Sequence, residues 1–339
     1  MTAVYNLKPL SMGQIFDRAI RLYRQHFLLF IGIIALSQIP ATAFVILISL
    51  VAVGGSSLGS GVMAAASIGA FATAIVSIIM SQIGTAALTR AVANNYLGEK
   101  IGVLEAYRKI GRAWLSLLGA LFLSLLLIIV LIIIFIIPCV GWAAAIPGIG
   151  GLVFLSTVVI PLIAPIIVLE GKGASQAIRR AWDLGRRRFW WVFGFVLLLN
   201  LFAQLVVTGP TALFQIFLLS VAGSMDPLLA TVLQQLLTFL LNVVFLPIQL
   251  TCVTLLYFDL RVRTEGFDLA LLTAQVEDVD VDVDKLTSET STPTAQWSPS
   301  GTELGYFSMI TIGVFVIGAG LVGILSLLGL AVGSAFGGL

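Results

Sequence analysis

The stretch AWDLGRRRFWWVFG, from Ala181 to Gly194, joins a basic segment to an apolar one. Three consecutive arginines stand directly before Phe189, and the chain from Phe189 to Phe258 then carries Asp226 as its only formal charge. A helix needs about 20 apolar residues to cross a bilayer, so this run is long enough for two crossings. The stretch is typical of the point where a chain enters a membrane.

The composition of the whole chain indicates the same environment. Of its 339 residues, 59% are hydrophobic and only 10% are charged, and the mean hydropathy is +1.11. A soluble domain has roughly 25% charged residues. No Asp, Glu, Lys or Arg occurs in 27–89 or in 113–169. The chain is therefore expected to be an all-α polytopic membrane protein, because a membrane β-barrel would show short segments of alternating polarity.

Three amphipathic segments each precede an apolar run, and we call them elbows. They are LSMGQIFDRAIRLYRQHF (10–27), GVLEAYRKIGRAW (102–114) and ASQAIRRAWDLGRRRF (174–189). Apolar residues recur at helical spacing on one face of each, which predicts helices that lie in the membrane interface. In the first elbow, Ser11 and Gln14 have the spacing of a capping box, with Leu10 and Ile15 as its hydrophobic staple.

The elbows also share a spacing that suggests an internal repeat. In each, an alanine is followed after eight positions by an aromatic residue and after five more by a glycine. The three sets are Ala19, Phe27 and Gly32; Ala106, Trp114 and Gly119; and Ala181, Phe189 and Gly194. The predicted fold has six core transmembrane helices in three repeated units, each an elbow with a helix pair, plus a C-terminal seventh transmembrane helix.

The organisation along the chain follows from these segments. The predicted crossings are 27–53, a segment ending near 88, 115–137, 152–169, 190–208, 228–258 and 305–330, with a turn at 138–151 and a short interfacial or re-entrant helix at 211–222. The predicted domains are a six-helix membrane domain (1–275), an acidic, disordered cytoplasmic linker (276–304) and the C-terminal helix with its tail (305–339). Nine acidic residues and one lysine give 264–304 a net charge of −8.

The basic residues indicate how the chain is threaded. All 18 lysines and arginines lie in segments that the crossings place on one side, whereas 54–61, 138–151 and 209–227 contain none. The positive-inside rule makes the basic side cytoplasmic. We therefore expect a multi-pass protein of the cytoplasmic membrane, with its N-terminus inside and its C-terminus outside.

The second and third elbows form the candidate interface with lipid headgroups. Anionic lipid contributes about 1 kcal/mol per basic residue near the membrane surface, and aromatic residues belong to an interfacial belt. The basic residues of these two elbows either serve only to set the topology of the chain, or their guanidinium forks converge on a specific headgroup phosphate. A nucleic-acid patch is not favoured, because topology accounts for every basic group. The candidate residues are Arg108, Lys109, Arg112, Arg179, Arg180, Arg186, Arg187, Arg188, Trp190 and Trp191.

No catalytic, cofactor or metal site is predicted. The single histidine, His26, lies at the membrane boundary, and no metalloprotease, hydrolase, Walker or dinucleotide motif occurs. The acidic residues of 278–289 fit a calcium-loop register, but Val283 stands where an EF-hand needs glycine. Cys139 and Cys252 have no metal or redox spacing and are expected to be buried. Amides within the crossings, such as Gln234 and Asn242, are expected to form interhelical hydrogen bonds or to line a polar cavity.

Two segments resemble a known family. VLEGKGASQAIRRAWDLGRRRFWWVFG (168–194) and LLYFDLRVRTEGFDLALL (255–272) are similar to signature segments of the glycerophosphoryl diester phosphodiesterase membrane-domain family, over about 8–275. EGFDL (265–269) is the most specific part. The resemblance implies that the enzymes of that family carry a separate barrel domain, in which acidic and histidine residues surround a metal. No residue of this chain matches those acidic and histidine residues. For this chain, the resemblance implies a bacterial inner-membrane protein.

The expected function is non-enzymatic. The chain is expected to be a scaffold or regulatory membrane component that contacts lipid headgroups or partner proteins through its basic cytoplasmic face, with the linker or the C-terminal helix as further partner sites. The alternative is a transporter or lipid-translocating protein, because repeated helix pairs and broken helices are features of transporters. An enzyme acting on lipid is a third alternative, without a candidate catalytic residue.

Overall fold

The computed structural model describes residues 9–54, 60–99, 101–137, 140–221, 225–276 and 299–336, which are helical almost throughout and contain no strand. The α-helices are α1 (Met12–Gln25), α2 (Phe27–Gly54), α3 (Ser60–Tyr96), α4 (Val103–Lys109), α5 (Ala113–Ile136), α6 (Val140–Phe154), α7 (Ile160–Glu170), α8 (Ala174–Arg187), α9 (Phe189–Ala203), α10 (Gly209–Ser220), α11 (Pro227–Glu265), α12 (Phe267–Val276) and α13 (Gly301–Phe336). Leu155–Val159 and Gln204–Thr208 form π-helical segments.

Seven stretches of the described chain are long and apolar enough to cross a membrane, which confirms the all-α polytopic class. They are Phe27–Ser49, Ser67–Tyr96, Ala113–Ile136, Ala144–Glu170, Phe189–Ser220, Pro227–Glu265 and Gly301–Gly320. The elbows are separate helices α1, α4 and α8, each directly before one of these stretches. The predicted capping box is confirmed, since the Gln14 amide N–H donates to the Ser11 hydroxyl and the Ser11 amide N–H donates to the Gln14 side chain.

Two predicted interruptions are wrong. The segment 138–151 is helical from Val140, and 211–220 continues the fifth crossing as α10 rather than forming a separate interfacial helix. Glycine and proline, which are turn signals in a sequence, lie within 138–151 and directly before 211. An unpaired backbone group costs several kcal/mol in hydrocarbon, so an apolar chain remains helical despite these residues.

Each π-helical segment ends just before a proline. Leu155–Val159 precedes Pro161, and Gln204–Thr208 precedes Pro210. A proline inside a helix removes one hydrogen-bond donor and its ring clashes with the carbonyl one turn earlier. A locally widened turn relieves that clash. The prolines therefore account for both departures from regular α-helix.

The first compact unit, Met1–Leu123 with Val158–Thr294, is centred on the C-terminal half of α11. All residues of 251–262 are buried, and α11 packs against α1, α2, α3, α7, α8, α9 and α12. The apolar face of each elbow supplies the remaining contacts, because Ala19, Ala106 and Ala181 are all fully buried. The alanines singled out in the sequence thus mark where each elbow packs against the core.

Three glycine contacts link the elbows within this unit. A Cβ added at Gly32 would lie 3.5 Å from Val103 Cγ2, one at Gly119 would lie 3.4 Å from Ala174 Cβ, and one at Gly194 would lie 3.9 Å from Met12 Cε. Val103, Ala174 and Met12 are the first residues of α4, α8 and α1. Each predicted unit therefore touches the elbow of the next, and the third touches the first. This cyclic pattern favours the internal repeat, which stays a prediction.

The second compact unit, Ser124–Thr157 with Ala295–Leu339, contains α6 and α13. Gly150 packs directly against the backbone of Phe307, leaving no room for a side chain at that position. The Phe154 and Phe307 rings lie 5.7 Å apart, and the Thr311 hydroxyl donates to the Ile146 carbonyl. The division into 1–275, 276–304 and 305–339 stays a prediction. Most of the acidic linker, including the calcium-loop register, lies outside the described residues.

Candidate functional site

The candidate headgroup residues do not share one environment. Seven are exposed: Arg108, Lys109, Arg112, Arg179, Arg187, Arg188 and Trp190. Arg186 and Trp191 are partly exposed. Arg180 is fully buried, so it cannot lie on the lipid-facing surface predicted for it. Its position on the inward face of α8, one residue from the exposed Arg179, explains the difference.

Several of these side chains are held in place by neighbours. Both Arg186 and Arg187 bind the buried carboxylate of Asp183, at 3.3 Å and 2.8 Å. The guanidinium carbon of Arg188 lies 5.4 Å from the centre of the Trp191 ring. The Arg263 guanidinium lies 5.5 Å from the same ring. Cation–π contacts of this kind contribute about 0.5–1 kcal/mol at exposed sites. The junction of α8 and α9 is therefore a fixed surface.

The second elbow is anchored by a tyrosine. The Tyr107 hydroxyl donates to the Ile33 carbonyl of α2 at 2.6 Å. Burial raises the pKa of the Tyr107 phenol above its usual value, so this group stays a neutral donor. Arg108 and Lys109 follow on the exposed side, and Lys109 pairs with Glu105 one turn earlier. The basic side chains of α4 are thus displayed from an elbow attached to the first crossing.

Five polar residues with buried side chains form the most distinctive feature of the first unit, which we call the buried ion cluster. They are Glu170, Arg180, Tyr257, Arg261 and Glu265. Tyr257, Arg261 and Glu265 recur every four residues on α11, so they share one helix face. Glu170 is the last residue of α7, and Gly171 follows in the left-handed conformation with φ 65°. That turn brings Glu170 and the third elbow to the end of α11.

The contacts within the buried ion cluster are continuous. Arg180 Nε lies 3.3 Å from Glu170 Oε1, and Arg180 Nη2 contacts Glu265 Oε1. The Tyr257 hydroxyl donates to Glu170 Oε1 at 2.9 Å and accepts from Arg261 Nη1 at 3.1 Å. Arg261 Nε donates to Glu265 Oε2 at 2.9 Å. Two guanidiniums thus face two carboxylates, with Lys172 Nζ 3.0 Å from Glu170 Oε2 at the edge.

This arrangement supports positioning rather than chemistry. All four carboxylate oxygens of Glu170 and Glu265 contact a cation, so each already has a partner. Charges buried in this way persist only when they are paired and hydrogen-bonded. The cluster therefore joins the end of α7, the elbow α8 and the end of α11. Among the described residues, no group of three or more His, Cys, Asp or Glu side chains could hold a metal ion.

A second set of polar contacts fixes the start of the first elbow. The Leu10 amide N–H donates to Asp259 Oδ1 at 2.6 Å, and Arg263 Nη2 donates to the Leu10 carbonyl at 2.6 Å. Arg263 also pairs with Asp259 at 2.8 Å. Asp259 and Arg263 have the same four-residue spacing on α11 as the members of the buried ion cluster. Sequence reasoning missed both sets, although that spacing in 257–265 is a visible signal.

The amides within the crossings were expected either to bond between helices or to line a cavity. Gln234 Nε2 donates to the Thr211 carbonyl of α10 at 3.3 Å, which is an interhelical bond. Asn242 Nδ2 donates instead to the Thr238 carbonyl of its own helix at 2.9 Å. Gln234 and Gln235 also line a cavity of about 360 Å³ between α10 and α11. Gln234 therefore shows both expected roles, because it forms an interhelical hydrogen bond and lines a cavity.

Residues 10–260 match a protein family described as a domain of unknown function, DUF7847. The match covers well over half of the chain, including most of the first compact unit, so the chain belongs to this family. No curated protein and no solved structure matches the chain. The family description names no activity.

Proposed function

We propose that this member of the DUF7847 family is a non-enzymatic membrane protein that holds anionic lipid headgroups on a basic face, as a scaffold or regulatory component. The observation that carries the proposal is that exposed cations lie on elbows whose buried side chains are bonded to the core. Arg179 is exposed on α8, whereas its neighbour Arg180 is tied into the buried ion cluster. The segment of α8 that carries Arg179 is therefore fixed relative to the core.

The location follows from the charge distribution. The basic face is cytoplasmic by the positive-inside rule, which leaves the C-terminal end of α13 outside. The resemblance to the membrane domain of glycerophosphoryl diester phosphodiesterases supports a bacterial cytoplasmic membrane, and that resemblance stays a prediction. Partner proteins would bind the same basic face, the acidic linker or α13.

The proposal is tested with three exposed arginines, Arg108, Arg112 and Arg179. A Trp142→Phe, Trp297→Phe chain, which keeps the tryptophans at the elbows, is reconstituted in nanodiscs that contain both lipids, with either phosphatidylglycerol or phosphatidylethanolamine brominated. Quenching of tryptophan fluorescence then reports which lipid lies at the elbows. We expect stronger quenching by the anionic lipid. The Arg108→Gln, Arg112→Gln, Arg179→Gln variant should lose that preference, because each basic residue near the surface contributes about 1 kcal/mol.

The matched control replaces the same three arginines by lysine. Lysine keeps the charge and loses the planar fork. Retained preference in the lysine variant identifies an electrostatic surface, and loss in both variants identifies fork-specific phosphate binding. Either outcome supports the proposal. A glutamine variant with unchanged preference would contradict it.

Lipid translocation is the second candidate, and the π-helical segments favour it. They interrupt the fourth and fifth crossings, and irregular backbone within crossings is found at transport sites. Proteoliposomes with fluorescent phospholipid and external dithionite provide the test. Reduction of more than the outer-leaflet half of the label would support translocation, and reduction of only that half would count against it.

A further inference from the structure

An apolar groove of about 1050 Å³ runs along α1 in the first compact unit. Its α1 wall includes Phe16 and Ile20, and the opposite wall includes Leu198, Leu205 and Ile248 from α9, the π-helical segment and α11. Pockets that hold drug-sized ligands have volumes of about 300–1,000 Å³. The groove is therefore large enough for the hydrocarbon chains of an amphiphile.

A polar pocket of about 500 Å³ adjoins one end of this groove. It is lined by Asp17, Ile20, Arg21, Arg24 and Gln25 of α1. Ile20 and Arg24 line both spaces, so the polar pocket and the apolar groove are contiguous. An amphiphile has the same division, with a polar headgroup attached directly to its chains.

The charges in the polar pocket are available to a ligand. Arg18, on the same helix, donates to the Tyr96 hydroxyl at 3.4 Å. Asp17, Arg21 and Arg24 are exposed and make no ion pair or side-chain hydrogen bond with any residue that the structure describes. Two guanidiniums and one carboxylate give the pocket a local charge of +1. That charge complements a ligand with one negative charge.

We propose that the groove and the polar pocket together bind one phospholipid whose phosphodiester headgroup carries free hydroxyls, as phosphatidylglycerol does. Arg21 and Arg24 donate to the phosphate, since guanidinium forks match phosphate oxygens. Asp17 accepts from a headgroup hydroxyl, and the acyl chains fill the groove. A phosphoethanolamine headgroup has no net charge and complements the pocket less well. This site lies on the first elbow and does not include the residues of the basic face on α4 and α8.

The test measures lipid retention by the full chain in mild detergent with native mass spectrometry. Dioleoyl phosphatidylglycerol and dioleoyl phosphatidylethanolamine are added in equal amounts. We expect one phosphatidylglycerol per chain to remain after the other lipids have dissociated. The Arg21→Gln, Arg24→Gln variant should bind it about tenfold more weakly or worse, because hydrogen bonds to charged groups are the strong ones.

A second variant tests the groove independently of charge. Leu205→Trp should fill it and displace the retained lipid. Leu213→Trp is the matched control, because Leu213 is 69% exposed and Leu205 is 72% exposed, yet Leu213 does not line the groove. Equal losses in the two tryptophan variants, or equal retention of the two lipids by the wild-type chain, would overturn the inference.

The Arg108→Gln, Arg112→Gln variant separates this inference from the proposed function. It should weaken the general preference for anionic lipid while the single retained lipid stays bound. If instead this variant loses the retained lipid and Arg21→Gln, Arg24→Gln keeps it, the tight site lies on the basic face. That result would overturn the present inference and support the proposed function.

Discussion

At the scale of single residues, Arg179 and Arg180 show what a charge pattern can and cannot predict. Both were predicted at the headgroup level, yet Arg179 is exposed and Arg180 has no exposed surface. The periodicity of a helix indicates which residues share a face. It does not indicate that Glu170 and Glu265, 95 positions apart in the chain, would converge on one guanidinium. Burying Arg180 became favourable only through those two partners.

The buried ion cluster predicts a large effect of removing one charge. Glu170→Gln leaves Arg180, Arg261 and Lys172 with Glu265 as the only remaining carboxylate of the cluster. Removing one partner of a buried ion pair costs about 3–5 kcal/mol. We expect a loss of that order in the free energy of unfolding, measured by denaturant titration in detergent micelles.

The matched control for Glu170→Gln is Glu105→Gln. Glu105 pairs with Lys109 at 3.3 Å, and both side chains are about 40% exposed. Exposed pairs contribute about 0–1 kcal/mol, so this variant should be close to the wild type. Similar stabilities for the two variants would show that the buried ion cluster does not hold the third elbow in place.

At the scale of helices, the elbows and most crossings could be predicted because they depend on local patterns. The capping box at Ser11 and the apolar runs specify α1 and α2 within the first unit, with few long-range contacts needed. The course of 138–151 and 211–220 could not be predicted from turn residues. Whether a glycine or proline ends a helix depends on what surrounds it, and hydrocarbon favours continued helix. The cyclic glycine contacts likewise depend on packing between elements far apart in the chain.

The contact between Gly119 and the start of α8 leads to a prediction about the packing of that helix. In Gly119→Val, the added Cβ would touch Ala174 at 3.4 Å and the two further methyl groups would overpack the start of α8. Overpacking costs about 1–3 kcal/mol, and we expect unfolding at lower denaturant concentration. Gly313→Val on α13 is the control, since nothing lies within 4 Å of its Cβ position. A Gly119→Val variant as stable as this control would show that α8 does not pack closely there.

The packing of α13 on α6 in the second compact unit depends on Gly150. A larger side chain there would meet the Phe307 backbone, which cannot move as a side chain could. In a background without native cysteines, Ile146→Cys and Thr311→Cys should form a disulfide under mild oxidation. Adding Gly150→Leu should abolish the crosslink, whereas adding Gly313→Val should preserve it. A crosslink that persists with Gly150→Leu would contradict the close approach.

At the scale of the whole molecule, the seven apolar stretches and the one-sided basic charge predict a definite threading. If all seven cross, we expect the two ends of the chain on opposite sides, and the positive-inside rule predicts that the side with the basic residues is cytoplasmic. This threading predicts that Arg108 and Arg179 face the cytoplasm and that Asp226, at the start of α11, faces outward. All three are exposed, so each can be replaced by a reactive cysteine.

The native cysteines permit a clean labelling experiment. Cys252 is fully buried, and Cys139→Ser removes the other thiol. In intact cells, a membrane-impermeant maleimide should label Asp226→Cys and leave Arg108→Cys and Arg179→Cys unlabelled until the membrane is permeabilised. Labelling of all three positions from outside would contradict the threading. Labelling of the two arginine positions alone would reverse it, so the basic face would meet the outer leaflet and the positive-inside rule would not hold for this chain.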